Sequence, residues 1–267
     1  MSSVTYPSID DLRVALSDGV LTVTLNRPDS LNSLTAPMLQ TLAEAVELAA
    51  SDPRVKVIRL TGAGRGFCAG AGISEDDQAA RESGGGNALL DGANRSVTAI
   101  VNCPKPVVAV VPGAAAGVGV SLALACDVVL ASEQAFFLLA FTKIGLMPDG
   151  GASALVAAAI GRIRAMRMAL LAERISAAEA HQWGLVTGVY PADEFDAAVD
   201  KVISTLTNGP AVALRETKQA INAATLGELP DAIKRETEGQ VRLLGSNDFR
   251  EGTQAFQQKR APKFTDV

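Results

Sequence analysis

The sequence predicts an α/β fold, with a core of alternating strands and helices and a helical C-terminal region. Three observations carry this prediction. Two β-branched apolar runs, at 55–61 and 107–111, each lead directly into a glycine-rich loop. Stretches with apolar residues at helical spacing follow each loop. From about residue 150 the pattern becomes helical.

Taken in order, 12–16 alternates, Ser17-Asp18-Gly19 turns, and 20–25 alternates again, as a β-hairpin does. Residues 26–30 (Asn-Arg-Pro-Asp-Ser) form a loop by composition. From Thr35 onward, Leu39, Leu42, Val46 and Ala49 fall on one helical face, with Pro37 in the first turn. A strand follows at 55–61. Residues 74–86 are polar, charged and then glycine-rich, which reads as a mobile flap. A helix is expected over 88–101, a strand at 107–111, a helix at 117–125 and a strand at 127–131. The order so far is β-β-α-β-α-β-α-β. Beyond it, a helix is expected over 150–159. Ser176 with Glu179 three residues later forms a capping box. Further helical patterns cover about 193–207, 210–224 and 229–244.

Composition excludes several function classes. The 267 residues suit one large domain, or a domain with an appendage, and 48% are hydrophobic. The net charge is −5, and no stretch combines clustered basic residues with aromatics, so nucleic acid is not an expected partner. Cys68, Cys103 and Cys126 are odd in number and form no CxxC pair, which fits a reducing compartment. Residues 1–8 carry neither a basic region nor an apolar run, so no signal peptide is expected. The longest apolar runs break well short of about 20 residues, so no membrane span is expected. A cytoplasmic protein follows.

The loops carry the chemical signal. The first, 62–72, reads Gly-Ala-Gly-Arg-Gly-Phe-Cys-Ala-Gly-Ala-Gly; the second, 113–119, reads Gly-Ala-Ala-Ala-Gly-Val-Gly. Residues this small let a ligand reach the backbone itself. Two such loops at neighbouring strand ends could aim two main-chain N–H groups at one oxygen, at roughly 2.7–4 kcal/mol per donor. A helix opening at Gly117 adds free N–H groups and the positive end of a helix dipole. Close packing of helix on strand explains the same small residues equally well.

Other sites fit less well. Gly117-Val118-Gly119 opens a helix after a strand, but Leu122 stands where a dinucleotide fingerprint needs its third glycine. Ser121 lacks the final glycine of a nucleophile elbow. His181 is the only histidine and sits in a helical segment, which reads as a surface or helix-terminal residue and leaves a Ser-His-acid triad unsupported. Cys68 reads as a small buried filler. No His, Cys and carboxylate cluster has metal-ligand spacing. Asp149 stands alone among apolar and small residues. It is either the N-cap of the following helix or a proton-transfer group, since apolar surroundings disfavour the charged form of a carboxyl and bring it toward working pH.

Together these segments resemble the crotonase, or enoyl-CoA hydratase/isomerase, family. The resemblance rests on 26–34, 66–71, 113–127, 143–151, 175–186 and 250–260, and runs from about residue 10 to 265. It implies a spiral of ββα units over 1–195 holding an acyl-CoA site, with a helical trimerisation region over 196–267. It implies an acyl-CoA thioester as substrate, with no cofactor beyond the CoA that substrate carries, and a homotrimer or dimer of trimers. The resemblance places the two oxyanion-binding amides on Ala71 and Val118. It places Arg27, Ser30 and Leu31, within 27–33, and Ala69, Gly70, Gly72 and Ile73, within 69–73, along the CoA groove, with Gly117 at the second loop. Lys259 is the basic residue implied to meet CoA phosphates, from a neighbouring subunit. The family usually has Asp where Gly72 stands, so the bracing of that loop differs here.

The departures bear on the chemistry. Hydratases of this family place one Glu in the second-loop helix and another four residues before the glycine of Lys-x-Gly. Those positions are Ser121 and Phe141 here, both facing substrate by this matching, and neither can activate a water as a carboxylate does. Asp149 matches the acid that several isomerases of the family use. The resemblance therefore implies an enoyl-CoA isomerase. Two other readings stay open: a hydratase with rearranged acids, and an acyl-CoA-binding protein without the chemistry.

Overall fold

The structure is a computed structural model that describes residues 4–72 and 87–266. Ile73 and the 74–86 segment lie outside the described residues. Strands β1 (Leu12–Ser17) and β2 (Val20–Leu25) form the expected hairpin, turning at Asp18 and Gly19, both at positive φ. In β2 every second residue is buried, so Leu21, Val23 and Leu25 enter the core. Helix α1 (Ala36–Ser51) follows, capped by the Thr35 hydroxyl, which accepts from Met38 N at 3.4 Å.

Three ββα units come next. The first is β3 (Val57–Gly62), β4 (Gly66–Cys68) and α2 (Ala88–Asn102). The second is β5 (Val107–Val111), β6 (Ala114–Ala116) and α3 (Val118–Ala125). The third is β7 (Val128–Ser132), β8 (Phe136–Leu138) and α4 (Ala152–Leu171), which Gly161 interrupts at φ +75°. In each unit the first strand joins a large sheet and the second joins a small one. The large sheet has the order β1-β2-β3-β5-β7-β10, and all but the β1–β2 pair are parallel. The small sheet runs β4-β6-β8-β9. β9 (Ile175–Ser176) and β10 (Gly188–Tyr190) flank helix α5 (Ala177–Trp183). β5 lies between parallel neighbours and all five of its residues are buried, as a strand covered on both faces requires.

The short strands β4 and β6 sit inside the two glycine-rich loops, and β8 is a run of only three apolar residues. The glycines and alanines of β4 and β6 show no alternation, and every residue of β4 is buried. The small side chains have a packing reason. A Cβ on Gly119, in α3, would stand 2.6 Å from the Cys68 carbonyl oxygen at the end of β4.

The C-terminal helices are α6 (Phe195–Thr207), α7 (Ala211–Thr225), α8 (Leu229–Leu244) and α9 (Asn247–Gln257). Lys218 docks α7 on the core. Its buried Nζ donates to the Ile100 carbonyl at 3.0 Å and pairs with Asp127 at 2.9 Å. α9, not anticipated as a separate helix, is capped by Ser246, whose hydroxyl accepts from Phe249 N at 3.0 Å.

The tail after α9 is held by charge. Glu251 pairs with Arg260 and accepts from Lys263 N at 2.7 Å. The Arg260 guanidinium, then the Lys263 amide, hold the Glu251 carboxyl down from its ordinary 4.5 to about 2. A depressed folded-state value means the tie is fully present above about 4.5 and is lost as pH falls through about 2. The protection of the Lys263 amide, its exchange measured against the intrinsic rate at each pH, should therefore fall across that window, before that of the large-sheet amides does. Simultaneous loss of both would contradict the assignment.

Candidate active site

The ends of β4, β6 and β8 lie side by side, because β4–β6 and β6–β8 are parallel pairs. Each unit contributes one group there: Ala71 after β4, Val118 after β6 and Asp149 after β8. All three line one cavity of about 280 Å³.

The direction of each amide follows from its neighbours. The Gly70 carbonyl accepts from Leu34 N at 2.8 Å. In a trans peptide the N–H points opposite the C=O, so Ala71 N–H faces away from Leu34. The Gly117 carbonyl accepts from Val120 N at 2.9 Å inside the first turn of α3. Val118 N–H therefore points out of the helix N-terminus, where no intrahelical acceptor exists. Among the described residues neither amide donates to an internal carbonyl. The two loops also touch: a Cβ on Gly70 (φ +85°) would stand 2.8 Å from the Ala116 carbonyl oxygen. Two such donors on the wall of one cavity are the kind of group that can hold an oxygen as it gains negative charge.

Asp149 is 6% exposed, and its Oδ2 accepts from Gln240 Nε2 at 2.7 Å. No side chain on α4's own cap residue bonds its N-terminus. Glu236 of α8 does that work instead, accepting from Gly151 N at 2.6 Å and Ser153 N at 2.7 Å. Burial pushes the Glu236 carboxyl up, and those two amides oppose the shift. Of the two roles open to Asp149, the helix cap is thus filled by another residue, while Asp149 lines the cavity. Ser121 is fully buried and donates its hydroxyl to the Asp149 carbonyl at 2.9 Å. It stands behind Asp149 and is not among the residues lining the cavity.

Of the remaining residues matched to the family's groove, Ala69, Gly70, Gly117 and Phe141 line the cavity. Gly72 does not; its amide donates to the Leu34 carbonyl at 3.3 Å. Arg27, Ser30 and Leu31 lie in a neighbouring loop. Arg27 Nη1 folds back on the Ser33 carbonyl at 2.9 Å, and the Ser30 hydroxyl donates to the Arg27 carbonyl. The buried Asn32 amide ties this loop to the first glycine loop through the Gly66 carbonyl at 2.8 Å, and the Leu31 carbonyl accepts from Ala69 N. Lys259 is exposed, at φ +52°, and outside the cavity wall.

Sequence reasoning missed the cavity's contributions from the C-terminal region, namely Gln240, Leu244 and Phe256. A signal was present. Leu229, Ala232, Glu236 and Gln240 fall on one face of α8, so two polar residues occupy an otherwise apolar stripe. The side chains read as bystanders are so placed. His181 is exposed near the end of α5. Cys68 is fully buried, and burial pushes its thiol up to about 12. Among the described residues no group of His, Cys, Asp and Glu could hold a metal ion, and no helix is long and apolar enough to cross a membrane.

The whole chain has relatives. A family model for enoyl-CoA hydratase/isomerase matches residues 15–267. The 1,2-epoxyphenylacetyl-CoA isomerase of Escherichia coli K12 is 40% identical, over 92% of this chain and 95% of that protein. The 2,3-dehydroadipyl-CoA hydratase of the same organism is 34% identical, over 96% of this chain and 99% of that protein. A crystal structure of an enoyl-CoA hydratase from Mycobacterium avium subsp. paratuberculosis K-10 superposes with a TM-score of 0.91 at 65% identity, covering 97% of this chain and all of that one (100%). The spiral of ββα units, the matching family model and these relatives agree: the chain is an enzyme of the enoyl-CoA hydratase/isomerase family, whose members act on acyl-CoA thioesters.

Proposed function

We propose that this enzyme is an enoyl-CoA isomerase that shifts a β,γ double bond to the α,β position. One observation carries the reading: Asp149 holds the only carboxyl on the cavity wall among the described residues, and it shares that wall with Ala71 and Val118. Hydration needs a water activated between two carboxyl groups, and the two family positions for them hold Ser121, which bonds a backbone carbonyl, and Phe141. Isomerisation needs a single base. Asp149 takes a proton from the carbon between the carbonyl and the double bond. The electron pair moves onto the thioester oxygen, giving a dienolate whose charge the Ala71 and Val118 amides hold. Asp149 then returns the proton two carbons further along, and the double bond ends beside the carbonyl.

A cavity of about 280 Å³ takes the acyl portion. The rest of CoA lies outside it, along the 27–33 loop, with Lys259 of a neighbouring subunit meeting its phosphates. The assembly in this reading is a homotrimer or dimer of trimers. Ile163, Leu170 and Leu171, exposed on the second half of α4, are the kind of surface a subunit contact covers. A 3-enoyl-CoA and a 2-enoyl-CoA assayed side by side test the chemistry. Conversion of the first to its 2-enoyl isomer, without hydration of the second, is expected. Hydration of the 2-enoyl-CoA, or tight binding with turnover of neither, would overturn the reading.

A further inference from the structure

Gln240 reaches the reaction centre from a helix 91 residues away in sequence. It is 2% exposed and lies on the cavity wall beside Asp149. Both ends of its side-chain amide are engaged. Oε1 accepts from Met147 N at 3.3 Å, and Nε2 donates to Asp149 Oδ2 at 2.7 Å. The Met147 N–H fixes which end is oxygen, so the donor end must face the carboxyl. Glu236, one turn earlier on α8, fixes Gly151 and Ser153. One face of α8 thus grips the 147–153 segment on both sides of Asp149.

From this geometry we infer that Gln240 is the positioning residue for Asp149, holding its carboxyl at the reaction centre and in the charged, proton-accepting form between turnovers. The inference rests on the isomerase reading. A donor bonded to a carboxylate favours the charged form over the protonated one. From α3 Asp149 meets Ser121, whose hydroxyl is spent on the backbone carbonyl, and from α2 the cavity presents Leu89 and Leu90. Glu236 is committed to the two α4 amides, and α9 contributes Phe256. Lys143 is the only cation on the wall among the described residues.

Gln240→Met keeps side-chain length and removes the donor. Turnover of 3-hexenoyl-CoA should fall about 10- to 100-fold in kcat, as misplacement of a reacting group does. Affinity for hexanoyl-CoA, a substrate-shaped probe without the double bond, should be retained. The acid limb of the kcat/KM profile, which reports the free enzyme's base, should move to higher pH. Gln240→Glu should move it further, since two carboxyls in contact share a proton. An unchanged kcat and acid limb in Gln240→Met overturns the inference. So does a joint loss of hexanoyl-CoA binding and activity with an unmoved limb, which marks a purely structural role. Asp149→Asn separates the two levels. If it retains full turnover, the isomerase reading fails; if it is inactive while Gln240→Met is normal, only the positioning role fails.

Discussion

Asp149→Asn is expected to lower the turnover of 3-enoyl-CoA by about 10²–10⁴-fold, the usual contribution of a positioned acid–base group. Asparagine has the same shape, and its carbonyl oxygen can still accept from Gln240 Nε2. It cannot take up or return a proton. Binding of a saturated acyl-CoA should persist, because the cavity wall is otherwise unchanged, and thermal stability should move little. The helix cap is no part of the effect, since Glu236 serves the N-terminus of α4. A loss smaller than about tenfold in kcat would falsify the catalytic assignment.

The second large effect is expected at Gly117. Its backbone lies at φ +53°, ψ −128°, a conformation that side-chain-bearing residues rarely adopt. An added Cβ would have room, with its nearest neighbours, Gly70 Cα and the Phe141 ring, at 3.7 Å. Gly117→Ala therefore acts through strain of about 1–3 kcal/mol and not through a clash. The relief available is rotation of the 117–118 peptide, which turns Val118 N–H away from the cavity. Removing one oxyanion donor costs about 10²–10³-fold in kcat. Steady-state kinetics with 3-enoyl-CoA, alongside a melting curve, reads both terms. A folded variant with near-normal kcat would remove Val118 from the reaction.

Much of this was legible in the sequence where the signal was local. Thr35 and Ser176 cap the helices that follow them because a cap is decided within four residues. The β1–β2 hairpin, β5 and α3 showed in alternation, in a buried apolar run and in a glycine-opened helix. The three-residue strands β4, β6 and β8 escaped notice because their partners are supplied by other units. The same holds at the site. Asp149 stood out by its surroundings in the chain, and the family resemblance pointed to Ala71 and Val118 within the two glycine-rich loops, whereas Gln240 and Glu236 act on residues 91 and 85 positions away. The capping role open to Asp149 went to Glu236 for the same reason, since no local pattern reveals a cap brought from a distant helix.

The grip of α8 on the 147–153 segment makes activity a more fragile property than folded mass. On the proposed reading of Asp149 as the base, slight loosening of that one helix, by mild heat or denaturant, would release it while both sheets keep their ladders. The enzyme would then fall silent with its circular dichroism nearly intact, so a spectroscopic melting point overstates the temperature at which it still works.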